Sequence, residues 1–119
     1  MLELNAFWHR GCSGTGALVE NVKAIGWYFT TDGIMVGRDS VVRDSFVKCN
    51  DDSLKVFSGN TLWERNTLWQ LNNGQSWMLS WITDTNERNI TVRDSTVIHV
   101  EHFKDFGDHC RPSVIGAIT

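Results

Sequence analysis

A short ridge of β-forming residues recurs along this chain, and the recurrence constrains the fold more than any other feature. Val42-Arg43-Asp44-Ser45-Phe46-Val47 is matched by Trp63 and Arg65-Asn66-Thr67-Leu68-Trp69, and again by Val92-Arg93-Asp94-Ser95-Thr96-Val97-Ile98. A weaker copy, Val19-Glu20-Asn21-Val22-Lys23-Ala24-Ile25, precedes them. The arginines lie 22 and then 28 residues apart, and Glu20 lies 23 before Arg43. A second ridge aligns Asp32-Gly33-Ile34-Met35-Val36 with Asp52-Ser53-Leu54-Lys55-Val56, 20 residues on. Val, Ile, Thr, Trp and Phe alternate along these copies, and Asn, Asp, Gly or Ser fill the corners.

A strand-turn-strand unit of this length with little helical periodicity predicts one coil of a parallel β-helix. A single coil cannot bury its apolar face, whereas stacked coils share one interior. Equivalent Asn and Asp corners should then form ladders at the strand spacing of roughly 4.8 Å. Leucine-rich repeats have a similar period, but their leucine signature is missing. A β-sandwich also gives short, regularly spaced strands and is the less favoured alternative, while one proline and 10 glycines leave little room for a hairpin-rich barrel. The expectation is an all-β, right-handed parallel β-helix of about five coils, with residues 1–119 forming one segment.

The second ridge carries the chemistry. Asp32 sits in Thr30-Thr31-Asp32-Gly33, and Asp51 and Asp52 sit in Cys49-Asn50-Asp51-Asp52-Ser53. A glycosidase needs one protonated carboxyl beside the scissile oxygen and others to hold and deprotonate a water. Asp32 and Asp52 should emerge on one face, one coil apart. Adjacent strand residues point to opposite faces, so Asp51 joins them only if the segment bends. Asn50 and Ser53 flank the pair and predict that bend.

Several stretches occur in order: Thr31-Asp32-Gly33, Asn50-Asp51-Asp52, Leu54-Lys55-Val56, Trp81 with Thr83, Asn89-Ile90-Thr91-Val92 with Val97-Ile98-His99, and Pro112-Ser113-Val114-Ile115-Gly116-Ala117. Together, over roughly residues 20–119, they resemble the catalytic β-helix of glycoside hydrolase family 49, which contains dextranases and isopullulanases. The resemblance implies inverting endo-hydrolysis of an α-glucan polysaccharide, with Asp51 as general acid and Asp32 and Asp52 on the water. Inversion leads one to expect acid and base roughly 6.5–9.5 Å apart and a bell-shaped pH profile on the acidic side of neutral. Relatives of that family carry a longer solenoid and an N-terminal β-sandwich, so the resemblance implies part of a larger, extracellular enzyme. Polygalacturonases share the Asp-Gly and Asp-Asp pieces. They add Gly-His-Gly and Arg-Ile-Lys segments for an acidic sugar, and this chain has neither.

The remaining features bound the reading. A net charge of −3 argues against nucleic acid, and no run of 18 apolar residues suits a membrane. The start, Met1-Leu2-Glu3-Leu4, lacks the pattern of a signal peptide. No cofactor is expected. His99, His102, His109 and Cys110 hold the elements of a metal site, but strand positions 99 and 102 point apart, so none is expected there. Gly11 to Gly16 lacks the Gly-Lys-Ser/Thr of a phosphate loop and reads as a connection between coils. Asn89-Ile90-Thr91 is a formal glycosylation sequon.

Six tryptophans are many for 119 residues, and a flat apolar ring stacks on a sugar. Trp63 and Trp69 read as core. Trp27 and Tyr28, just before Asp32, and Trp77 and Trp81, beyond Asp52, read as subsite candidates. Lys55 could balance the carboxylates and bond a sugar hydroxyl, or simply be a solvated strand residue. Cys12, Cys49 and Cys110 read as free, buried thiols, and Arg43, Arg65 and Arg93 as an exterior charge ladder. Uncapped solenoid ends predict self-association. The competing class is a non-catalytic carbohydrate-binding or assembly solenoid whose aspartates only hold corners.

Overall fold

The computed structural model describes residues 2–3, 14–81, 88–101 and 113–118. Strand β1 (Leu2–Glu3) is followed by four complete coils of three strands each. The first holds β2 (Leu18–Glu20), β3 (Lys23–Ile25) and β4 (Ile34–Met35), and the second β5 (Val41–Arg43), β6 (Phe46–Cys49) and β7 (Leu54–Lys55). The third holds β8 (Thr61–Glu64), β9 (Thr67–Gln70) and β10 (Gln75–Trp81), and the fourth β11 (Ile90–Arg93), β12 (Thr96–Val100) and β13 (Ser113–Ile118). Equivalent strands pair in parallel to make three sheets, ordered β1-β3-β6-β9-β12, β2-β5-β8-β11 and β4-β7-β10-β13. This is the parallel β-helix that the repeats predict. Among the described residues there is no helix, and so none long and apolar enough to cross a membrane.

Sharp corners make the coil possible, and the sequence supplies them. Between the first and second strands of each coil, Asn21, Asp44, Arg65 and Asp94 take left-handed backbone with φ of 51–54°. Asn and Asp tolerate that conformation better than other side chains. Arg65 occupies it among hydrogen bonds to both oxygens of Asp44 and an ion pair to Glu64. The next residues ladder inward: Val22 N–H donates to Ser45 Oγ, Ser45 N–H to Asn66 Oδ1 and Asn66 N–H to Ser95 Oγ, all at 3.1 Å. At the corners before the second, third and fourth coils, Asn89 Nδ2 donates to Asn60 Oδ1 and Asn60 Nδ2 to Asp39 Oδ1. These are the expected corner ladders.

The interior holds Ile34, Val36, Val42, Val47, Cys49, Leu54, Val56, Trp63 and Leu68. Trp63 is fully buried and donates its indole N–H to Thr61 Oγ1. Trp69 departs from the expectation. Strict alternation over six residues would put it on the same face as Trp63, but the corner at Arg65 resets the alternation and Leu68 points inward instead. Trp69 lies half-buried outside, with the Lys48 ammonium 4.5 Å from its ring centre and the His99 ring at 4.9 Å. Trp77 also departs from its subsite reading, because it packs against the core cluster.

The charge ladder lies on the exterior, one residue out of the expected register. Arg43 pairs with Glu64 rather than with Arg65, and Glu64 with Arg93. The column therefore alternates in sign as Glu20, Arg43, Glu64, Arg93, with ion pairs of 2.7 Å from Arg43 to Glu20 and 2.6 Å from Arg93 to Glu64. Like charges at the strand spacing would repel, and alternation removes that. At the far end Val92 continues the fully buried column of Val42 and Trp63 but is 40% exposed. Cys12, His102, His109, Cys110, Thr83, Pro112 and residues 11–13 of the glycine-rich stretch lie outside the described residues.

Candidate functional site

The second-ridge aspartates meet where the chain enters the β4-β7-β10-β13 sheet. Ile34 pairs with Leu54, so Asp32 and Asp52, two residues earlier, lie one above the other. Gly33 N–H donates to Asp52 O at 2.8 Å, which fixes that alignment. The approach demands glycine, because a Cβ on Gly33 would stand 2.0 Å from Ser53 O. Residues 50–51 form the bend that the flanking Asn50 and Ser53 suggest. One oxygen from each of Asp32, Asp51 and Asp52 lies within 4.8 Å of the others.

Lys55 follows Leu54 and so points away from the core. Its ammonium lies 2.8 Å from Asp32 Oδ1 and 3.9 Å from Asp52 Oδ2, and the residue is 9% exposed. Asp51 Oδ1 accepts from Asp52 N–H at 2.9 Å, and Asp51 Oδ2 accepts from Asn73 Nδ2 at 2.9 Å. Asp52 Oδ1 accepts from Gln75 N–H at 3.0 Å. Asp32 and Asp52 are 2% and 1% exposed, whereas Asp51 is more open to solvent. These nearest oxygens, one from each carboxyl, meet within a span shorter than the separation of whole carboxyl groups in an inverting pair. Lys55 draws Asp32 and Asp52 together, and the bond to Asp52 N–H folds Asp51 back on its neighbour.

This packing holds protons. Burial pushes the Asp51 carboxyl up to about 6, helped by the Asp32 charge and opposed by the Asp52 N–H and the Lys55 ammonium. Burial pushes Asp52 up to about 7, reinforced by the Asp51 charge and relieved in part by Lys55. Two carboxyls in such contact shed their protons in two steps, and between them one is acid while the other is base. Cys49 lies directly beneath, its thiol bonded to Asp51 O and within 3.2 Å of Ser53 Oγ. Burial pushes it up to about 12, so it is an inert thiol. The three aspartates are also the group of His, Cys, Asp and Glu residues, among those described, closest to a metal-ligand arrangement. Lys55 already supplies their cation.

Trp27 and Tyr28 lie in the loop leading to Asp32 and are 52% and 58% exposed. Phe29, which the sequence reading passed over, is 43% exposed beside them. The loop is tied to the Asp51 corner, since Asn50 Nδ2 donates to Trp27 O at 3.0 Å and Thr30 N–H to Asn50 O at 3.2 Å. Trp81 ends β10, and its side chain lies outside what the structure describes. Asn73 and Gln70 belong to no repeat or motif of the sequence. Their one signal is position, since the turn Asn72-Asn73-Gly74 follows Asp51 by about one coil.

Comparison with curated proteins finds three similar dextranases. The chain is 37% identical over 82 residues to a dextranase of Arthrobacter sp. (strain CB-8), covering 68% of this chain and 13% of that protein. A dextranase of Arthrobacter globiformis shows the same figures. One of Talaromyces minioluteus is 30% identical over 101 residues, 84% of this chain and 16% of that protein. The chain thus spans about one-seventh of the length of these relatives. No protein-family profile matches it, and no solved structure matches it.

Proposed function

We propose that this chain carries the catalytic carboxylates of a dextranase-like glycoside hydrolase of family 49 type, cleaving α-glucosidic linkages in a glucan. The observation that carries the reading is the convergence of Asp32, Asp51 and Asp52 to within 4.8 Å at one corner of a β-helix. The likeness to three dextranases supports the substrate class. A neutral glucan also needs no cationic pocket beyond Lys55.

In this reading Asp51 is the general acid, being the carboxyl of the three most open to a glycosidic oxygen. Raised to about 6 while Asp52 is raised to about 7, it holds its proton beside an ionised Asp52 in a minor but reactive share of the molecules, largest between those two values. It gives that proton to the leaving oxygen as the C–O bond breaks. Asp32 and Asp52, bridged by Lys55, orient a water and take its proton as its oxygen attacks the anomeric carbon from the opposite face. Trp27 and Tyr28, with their exposed rings, stack on neighbouring glucose units. The product anomer is then inverted, from α to β.

One observation favours a second stereochemical reading. The oxygens stand within 4.8 Å, and carboxylates about 5–5.5 Å apart ordinarily mark retention through a covalent intermediate. Proton NMR of dextran during the first minutes of hydrolysis tests both readings. A β-anomeric signal appearing first supports inversion, a first α-anomeric signal replaces it with retention, and no new reducing end refutes the hydrolase reading.

A further inference from the structure

We propose that Asn73 is a positioning residue for Asp51, with Gln70 as the strut that holds it, so that the third coil aims the carboxyl of the second. The inference rests on the hydrolase reading and adds residues that neither the repeats nor the aspartate motif reveals.

The geometry is closed from several sides. Gln70 is fully buried at the end of β9. Its Nε2 donates to Asp51 O at 2.8 Å and also to Asn73 O, and its Oε1 accepts from Ser53 Oγ at 2.6 Å. One side chain thus ties the backbones of Asp51 and Asn73 together. Gly74 follows with φ of 71°, so near that an added Cβ would stand 2.5 Å from Asp51 C and Asp52 N. Asn73, itself 5% exposed, then has its amide 2.9 Å from Asp51 Oδ2.

A carboxyl held by one donor can still rotate and aim its proton in several directions. Here Asp52 N–H holds Oδ1 and Asn73 Nδ2 holds Oδ2, so the plane is fixed by donors from two coils. Each oxygen keeps a second lone pair, which leaves room for the transferable proton. As that proton leaves, charge grows on oxygens that already face N–H groups, and those hydrogen bonds strengthen. An amide stays a donor throughout the working pH range. The other groups facing Asp51 are the Asp32 and Asp52 carboxyls, the Lys55 ammonium and the Cys49 thiol.

The test is a carbon-13 NMR titration of the Asp51 carboxyl in the full chain and in Asn73→Ala, beside the pH profile for dextran hydrolysis. Losing a hydrogen bond to a charged group should raise the Asp51 midpoint by about one pH unit. The basic limb of kcat/KM should move the same way, with kcat down about tenfold and KM nearly unchanged. An unmoved Asp51 midpoint in folded Asn73→Ala overturns the proposal. If that variant does not fold, Asn73→Ser replaces it, with the same shift expected and an unmoved midpoint again decisive against. A shift in a chain that releases no sugar refutes the hydrolase reading and keeps Asn73 as the group that sets this carboxyl.

Discussion

Replacing Asp52 by asparagine should make the protein more stable at pH 8, although it removes a candidate catalytic group. Asp52 is 1% exposed, and its carboxyl is pushed from 3.8 up to about 7, mainly by burial and then by the Asp51 charge. A rise of about three units corresponds to roughly 4 kcal/mol between the two protonation states. Part of that is repulsion shared with Asp51, and an amide at this position would forgo the attraction of Lys55 at 3.9 Å. The net gain at pH 8 is therefore about 1–3 kcal/mol. The sign follows from linkage: a carboxyl raised in the folded state binds more protons there than when unfolded. Its stabilisation is full below about 4 and is lost as pH rises through about 7. Asp44 and Glu64, held below their ordinary values first by hydrogen bonds from Arg65 and Arg93 respectively, act in the opposite sense only at lower pH. Urea unfolding followed by tryptophan fluorescence at pH 5 and pH 8 isolates the effect. The wild type should weaken relative to Asp52→Asn across that interval. An equal difference at both pH values would mean that burial does not raise the Asp52 carboxyl.

Two further outcomes follow from the packing. Gly74→Ala must move the backbone of Asp51 and Asp52 or its own turn, since its Cβ would stand 2.5 Å from both at a φ of 71°. Thermal unfolding should show a loss above about 3 kcal/mol, whereas a loss under about 1 kcal/mol would mean the turn is not clamped. Arg43→Ala removes exposed ion pairs to Glu20 and Asp44 and should cost under about 1 kcal/mol, shrinking further in high salt, with sugar release unchanged.

The β-helix was legible because each coil repeats both its alternation and its corner chemistry. Asn21, Asp44 and Asp94 announce left-handed corners, and Asp39, Asn60 and Asn89 announce the next set. The register around Arg65 was not legible. Alignment by residue type matches arginine to arginine, but Arg65 fills a corner slot that its counterparts fill with Asn or Asp, and Glu64 takes the strand position. The orientation of Trp69 failed for the same cause, since a corner inserted into an alternating run resets its phase. The meeting of Asp32 with Asp52 was readable from the matching ridges, and the turn of Asp51 toward them from Asn50 and Ser53. Asn73 and Gln70 were hidden. Their bonds to Asp51 span 22 and 19 residues and depend on a coil-to-coil stacking that no local pattern encodes.

Proton sharing among Asp51 and its two neighbours, if it cleaves a glucan, sets the pH profile of reducing-end release from dextran between pH 4 and 8. With the pair raised to about 6 and about 7, the rate should peak between those values. Asp51→Asn should abolish release while the fold stays intact. Release that persists in folded Asp51→Asn, or none at all from the folded wild-type chain, would mean that these carboxyls do not cleave a glucan.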